Sequence, residues 1–251
     1  MSVAVEAWPV AEPGPVTNVT VWRVGTRLNG PARAAALALL TDDEQARAGR
    51  FLREDDRDRS IAARAALRLV LAGTLGRDPR AVALRPDAAG KPHLAPMGHD
   101  TLSFNVSHSG DWALVVVAPG PRVGVDVEAM RPIPDPLSLA RLHFAAAETG
   151  ALASLPSDAR LAAFYACWTR KEAFVKALGA GLGFGLARFT VAVPPQPAAL
   201  LAIDGSTGEA RRWSLVDLPF GSDTAAALAV EERGTSPTLH SLAADRLRAP
   251  G

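Results

Sequence analysis

One cysteine, Cys167, stands in a chain of 251 residues, so no internal disulfide can form and nothing points to an oxidising compartment. The opening MSVAVEAWPV has no basic stretch leading into an apolar run, so it does not read as a secretory signal. Uninterrupted apolar runs stay short of the ~18 residues that an ordinary membrane-spanning helix requires. A dominant charge is also lacking: 27 basic residues face 26 acidic ones, which gives no support to general nucleic-acid or membrane binding. His93, His99, His143 and His240 form no H-x-x-x-H pair and no Cys/His spacing suited to zinc. Lysine is scarce, occurring only as Lys91, Lys171 and Lys176, which singles out each position. These absences leave a soluble cytoplasmic protein as the expectation, with partners to be argued from local patches.

What is present is ample apolar material, 48% of the chain, enough for one large or two modest domains. Residues 1–18 carry prolines at 9, 13 and 15 and read as an irregular lead-in. VTVWRV at 19–24 alternates like a strand. Thr41 before DDEQ is an N-cap signal for a helix from Asp42 towards Phe51, and a second helix runs from about Arg57 to a stop at Gly76. Strands are expected at 81–85, 102–106, 112–118 and 123–128, helical material at 138–153 and 158–178, and closing strands at 188–193, 212–218 and 225–230. On either side of Gly120 the order is similar: a leading strand, helices, then strands. The fold class that follows is α+β, with two similar subdomains at 19–121 and 122–230. Their closing strands are too closely spaced for helical crossovers, so the sheets should be antiparallel. The tail 231–251 lacks periodicity and is expected to fray.

The chemistry concentrates in four stretches. VGVDVE at 123–128 places Asp126 and Glu128 on one strand face and Val123, Val125 and Val127 on the other. Such a pair is either a solvated face or an oxygen-rich site of the kind Mg²⁺ uses with waters and phosphates. In CWTRKEAFVKALGAG, Trp168, Glu172 and Lys176 recur every four residues along one side of a helix, as a surface ion pair or as further site groups. FNVSHSGDW at 104–112 offers Ser107 and His108 at a strand end, suited to an anion, although His108 could equally satisfy a local carbonyl. AGKPHL at 89–94 holds Lys91 beside Pro92 on a loop. Cys167 reads as a packed thiol. The glycines of GAGLGFG end a helix instead of opening one, against a nucleotide-cradling loop.

Together GKP (90–92), FNVSHSGDW, GVDVE and WTRKEAFVKALGAGL (168–182) occur in the order and spacing of one family. The chain resembles the 4′-phosphopantetheinyl transferases of the large, surfactin-synthetase-activating type, from about Thr41 to Phe189. The resemblance implies an intramolecular pseudo-dimer that transfers 4′-phosphopantetheine from coenzyme A to a serine of an apo carrier protein and releases adenosine 3′,5′-bisphosphate. It implies Mg²⁺ held by Asp126, Glu128 and Glu172, with Lys176 and His108 clamping the pyrophosphate. Either Glu172 or Glu148 of HFAAAE would then take the serine proton. It implies coenzyme A contacts from Lys91, Pro92, Ser107, His108 and Ser60, and from Arg47 ahead of Arg50 and Arg53. Glu44 stands where some relatives carry a base, which weakens the 3′-phosphate assignment. Coenzyme A would lie in the cleft between subdomains, and two halves in one chain imply a monomer. An acidic carrier could be steered by the arginine-rich first region and dock near 129–137 and Phe144. The rival readings are a Mg²⁺-dependent pyrophosphate hydrolase and a non-catalytic cation- or coenzyme A-binding module.

Overall fold

The protein, as a computed structural model, is described over residues 8–86, 92–94, 102–243 and 247. Lys91 lies outside the described residues. In chain order the elements are β1 (Thr20–Gly25), α1 (Gly30–Leu39), α2 (Asp42–Ala48), α3 (Glu54–Leu75), β2 (Leu84–Pro86), β3 (Pro92–Leu94), β4 (Leu102–Ser109) and β5 (Trp112–Pro119). Then come β6 (Val123–Ala129), α4 (Pro136–His143), α5 (Ala146–Ser154), α6 (Arg160–Leu178), β7 (Phe189–Val191), β8 (Leu200–Ile203), α7 (Thr207–Ala210), β9 (Ser214–Asp217), β10 (Thr224–Val230) and β11 (Thr238–Leu242). The chain divides into a first unit, Ala7–Gly120 with Ser236–Gly251, and a second unit, Pro121–Thr235.

The first unit has the sheet order β11-β1-β5-β4. The β1–β5 and β5–β4 pairs are antiparallel, whereas β1 and β11 run parallel. Helix α3 supplies Ile61, Leu67, Val70 and Leu71 to a core shared with Trp22, Val24, Val115 and Val117 of the sheet. It ends at Gly76, whose φ of 63° is a left-handed cap that glycine adopts without penalty. In the second unit the order is β6-β10-β9, antiparallel throughout, with α6 contributing Phe164, Phe174 and Ala173 to a core that includes Trp213 and Ala227.

Each unit repeats one topology. A leading strand is followed by short helices, a long helix, a two-strand hairpin (β2–β3 or β7–β8) and a closing hairpin (β4–β5 or β9–β10). The leading strand pairs with the last strand of that closing hairpin. The class is therefore α+β with two similar, largely antiparallel units.

The tail is a correction to the sequence expectation. Thr238–Leu242 forms β11, anchored because Thr238 N–H donates to Val19 O at 2.9 Å and Ser241 N–H donates to Pro9 O at 2.8 Å. The lead-in is likewise tied down, with Trp8 buried and stacked on Arg23. The expected strand at 81–85 starts late because Pro79–Ala81 forms a 3₁₀ turn capped by Asp78. Among the described residues no helix is long and apolar enough to cross a membrane.

Candidate active site

Helix α6 crosses the face of β6 that carries Gly124, Asp126 and Glu128. The approach is so close that a Cβ on Gly124 would stand 2.1 Å from Ala173 O and 2.3 Å from Ala177 N. Across the strand pair, Ala229, Ala227 and Ala225 stand opposite Gly124, Asp126 and Glu128. Small side chains on both strands thus let the helix backbone settle onto the sheet. One result is that Lys176 Nζ reaches Asp126 Oδ1 at 2.6 Å, with Asp126 buried and Lys176 half-buried.

Glu172, one turn before Lys176, has its Oε1 buried with no hydrogen bond. Its pKa is raised, first by burial, then by the Asp126 carboxylate and to a lesser degree by Glu128, against the opposing pull of Lys176. Two carboxylates and the Lys176 ammonium thus act on Glu172. Among the described residues no group of three or more acid, histidine or cysteine side chains is placed to hold a metal ion. The orphaned buried oxygen of Glu172, close enough to Asp126 and Glu128 to feel their charge, nevertheless fits a hard divalent cation that takes one or two carboxylates and completes its shell with water and phosphate. Trp168 packs: it stacks with Phe164 at 5.9 Å and contacts Phe144 and His143.

Glu148 has a different place from the one expected of a base. It is fully buried, its Oε1 lies 2.7 Å from Lys171 Nζ and accepts from Val191 N at 2.7 Å, and its Oε2 accepts from Ala145 N at 2.8 Å. A side chain with no exposed surface and both oxygens engaged cannot meet an incoming hydroxyl. Phe144, expected as a docking residue, is buried against Phe164, while Leu142 of α4 is exposed.

In the first unit a pocket is lined by Glu44, Arg47, Ser60, Arg64, Pro92 and His108 over an apolar floor of Leu67 and Val106. Alternation along β4 sends Val106 and His108 to this side and Ser107 to the opposite face, so the structure separates two residues expected to act together. Arg50 and Arg53 do not line the pocket; they are exposed at the end of α2 and the start of α3. Arg64 is the residue that the motif reading missed. Its signal was helical spacing, since Ser60, Arg64 and Leu67 follow i, i+4, i+7 on α3.

Glu44, the apparent departure, is buried. It accepts from Arg64 Nε at 2.6 Å, Arg68 Nε at 2.6 Å and the Thr41 amide at 3.0 Å. Burial alone would lift its pKa, but the Arg68 hydrogen bond, the Thr41 amide and Arg64 hold it below the usual carboxylate range.

The buried acids with a lysine in the second unit and the arginine- and histidine-lined pocket in the first are each of a chemistry suited to phosphate groups. Comparison with known proteins gives the family. The 4′-phosphopantetheinyl transferase superfamily model matches residues 122–230, and the model for the N-terminal part of 4′-phosphopantetheinyl transferases matches residues 31–120. The chain is 36% identical to the 4′-phosphopantetheinyl transferase HetI of a Nostoc species, over 88% of this chain and 90% of that one. It is 32% identical to a phosphopantetheinyl transferase of a Thraustochytrium species, over 81% and 71%. It is 29% identical to the 4′-phosphopantetheinyl transferase of Bacillus subtilis, over 62% and 67%. The chain belongs to the 4′-phosphopantetheinyl transferase family. It is an enzyme that moves a 4′-phosphopantetheine group onto a carrier protein, and coenzyme A is the family's donor.

Proposed function

We propose that this enzyme is of the large, surfactin-synthetase-activating type, and that its Mg²⁺-dependent reaction modifies a serine of an apo acyl, aryl or peptidyl carrier and releases adenosine 3′,5′-bisphosphate. The observation that carries the reading is the buried, hydrogen-bond-free oxygen of Glu172 beside Asp126 and Lys176. Asp126, Glu128 and Glu172 would hold the metal, which when bound supplies positive charge to the pyrophosphate of coenzyme A.

Glu172 takes the proton of the carrier serine directly or through a water. The serine oxygen forms its bond to the β-phosphorus as the bond to the bridging oxygen breaks, and the electron pair leaves with adenosine 3′,5′-bisphosphate. Lys176 offers its ammonium to the charge that develops on the phosphates. In the first unit, Arg47, Ser60, Arg64 and His108 take the nucleotide's phosphate. The exposed Arg50 and Arg53 are assigned to steering an acidic carrier. Two similar units in one chain support a monomer, and the lone, buried Cys167 supports a reducing cytoplasm.

The test is the intact mass of apo carriers of the fatty-acid, polyketide and nonribosomal-peptide kinds, incubated with the enzyme, coenzyme A and Mg²⁺. A gain of about 340 Da, abolished by chelation, is expected on at least one carrier. E172Q and K176A should each lower the rate by roughly 10²-fold or more while staying folded. Gain without added metal after exhaustive chelation would refute the metal's part, and near-wild-type rates in both variants would refute the assigned residues.

A further inference from the structure

Lys171 immediately precedes Glu172 on α6 and is one of the most deeply buried side chains in the protein, with no exposed surface. Its three ammonium protons have three acceptors: Glu148 Oε1 at 2.7 Å, Leu186 O at 2.8 Å and Phe189 O at 2.7 Å. Glu148 in turn sits in the first turn of α5, where its Oε2 caps the Ala145 amide.

The first unit contains the same arrangement. Glu44 sits in the first turn of α2 and caps the Thr41 amide; it is paired with the buried Arg68 of the long helix α3. Arg68 donates to the carbonyls of Pro79 and Val82 in the segment that follows its helix, as Lys171 does to those of Leu186 and Phe189. There, however, the residue after the cation is Leu69. The device therefore occurs in a unit where it has no carboxylate to aim, which marks it as part of the fold and not of the chemistry.

In the second unit the same device acquires a consequence. Glu172 and Asp126 repel each other, and Glu172 Oε1 has no hydrogen bond to hold it. Successive helical residues point about 100° apart, so fixing Lys171 fixes the azimuth of Glu172 and, a turn later, of Lys176. We infer that the Glu148–Lys171 pair is a buried latch that sets the rotation of α6 and so aims Glu172 and Lys176 at β6, with Glu148 and Lys171 acting as positioning residues. The inference rests on the roles proposed above for Glu172 and Lys176.

The experiment compares K171M, K171R, E148Q, E148Q/K171M and E172Q in the full chain, with kcat and the KM for coenzyme A measured well below each melting temperature. K171M leaves Glu148 buried without its cation. Its kcat should fall by roughly tenfold or more while KM for coenzyme A stays within about twofold, because the latch shares no residue with the first unit's pocket. K171R should recover most of the loss, as Arg68 fills the same role. E148Q/K171M, which removes both charges, should fold better and turn over faster than either single variant, an outcome impossible if Glu148 were the chemical base.

Wild-type kcat in K171M and in E148Q/K171M, with E172Q inactive, would reduce the pair to a stabilising contact and overturn the inference. So would an inactive K171R together with a double variant no faster than E148Q, which would make the pair chemical. Turnover retained by E172Q would instead remove the reading beneath the latch, and E172Q alone identifies that failure.

Discussion

At the scale of single residues, Glu172 holds two properties in tension. Burial and the nearby Asp126 raise its pKa, so the carboxylate proposed to hold a cation is, without one, a burden on the folded state when ionised. For a carboxyl raised above its unfolded value of about 4.3, the favourable contribution is fully present below that pH and is lost as pH rises through the folded pKa. At neutral pH, in chelated enzyme, E172Q should therefore melt higher than the wild type. The shift is expected to be on the order of a few degrees and to vanish as the pH is taken below about 4. Calorimetric melts across that range check it, and a lower melting point for E172Q at neutral pH would contradict the burial argument.

Residue identity alone exposed part of this. Strand alternation put Asp126 and Glu128 on one face and four-residue helical spacing did the same for Glu172 and Lys176, but spacing left a solvated face and a surface ion pair open, and only the family resemblance joined the four. Glu148 was not, because nothing in HFAAAE reveals that Lys171 waits in the core for it. A buried ion pair is a tertiary fact. Cys167 was read rightly as packed: burial pushes its thiol up to about 12, so it carries no nucleophilic chemistry.

At the scale of elements, the site depends on how closely α6 lies on β6, and Gly124 sets that distance. The atoms that a Cβ would strike, Ala173 O and Ala177 N, belong to helix backbone and cannot swing aside as a flexible side chain would. G124A should cost about 1–3 kcal/mol, the usual range for overpacking, and should slow transfer by at least tenfold by lifting Glu172 and Lys176 from β6. Denaturant midpoints and turnover measure the two effects. A variant as stable and as fast as wild type would show that the helix has room to move.

Long or strongly patterned elements were readable from sequence: α3 from its apolar side and its terminal glycine, α6 likewise, β4, β5, β6 and β10 from their β-branched and apolar runs. The three-to-five-residue strands β3, β8 and β11 were not. Too few side chains alternate in them to distinguish a strand from a loop, and their pairing is fixed by distant partners.

At the scale of the whole molecule, the chain leaves its first unit after Gly120, builds the second, and returns with Ser236 to finish the first. Similarity between halves was visible as an order of elements, yet the return was hidden because TLHSL at 238–242 is too short to show a strand pattern. Strand β11 covers the edge of β1 by parallel pairing, Leu242 and Leu247 are buried in the first unit's core, and Ser241 Oγ accepts from Arg23 Nε at 3.0 Å. Ending the chain at Thr235 would strip these contacts from the first unit and leave every named element of the second intact. Losing two buried leucines at about 2 kcal/mol each predicts a first unit weakened by roughly 4 kcal/mol, with β1 exposed as an unpaired edge prone to association. Hydrogen exchange resolves the units separately. The truncated chain should lose protection in β1, β5 and α3 while β6, β10 and α6 keep theirs, and equal loss in both would mean that the last strand supports more than the sheet it joins.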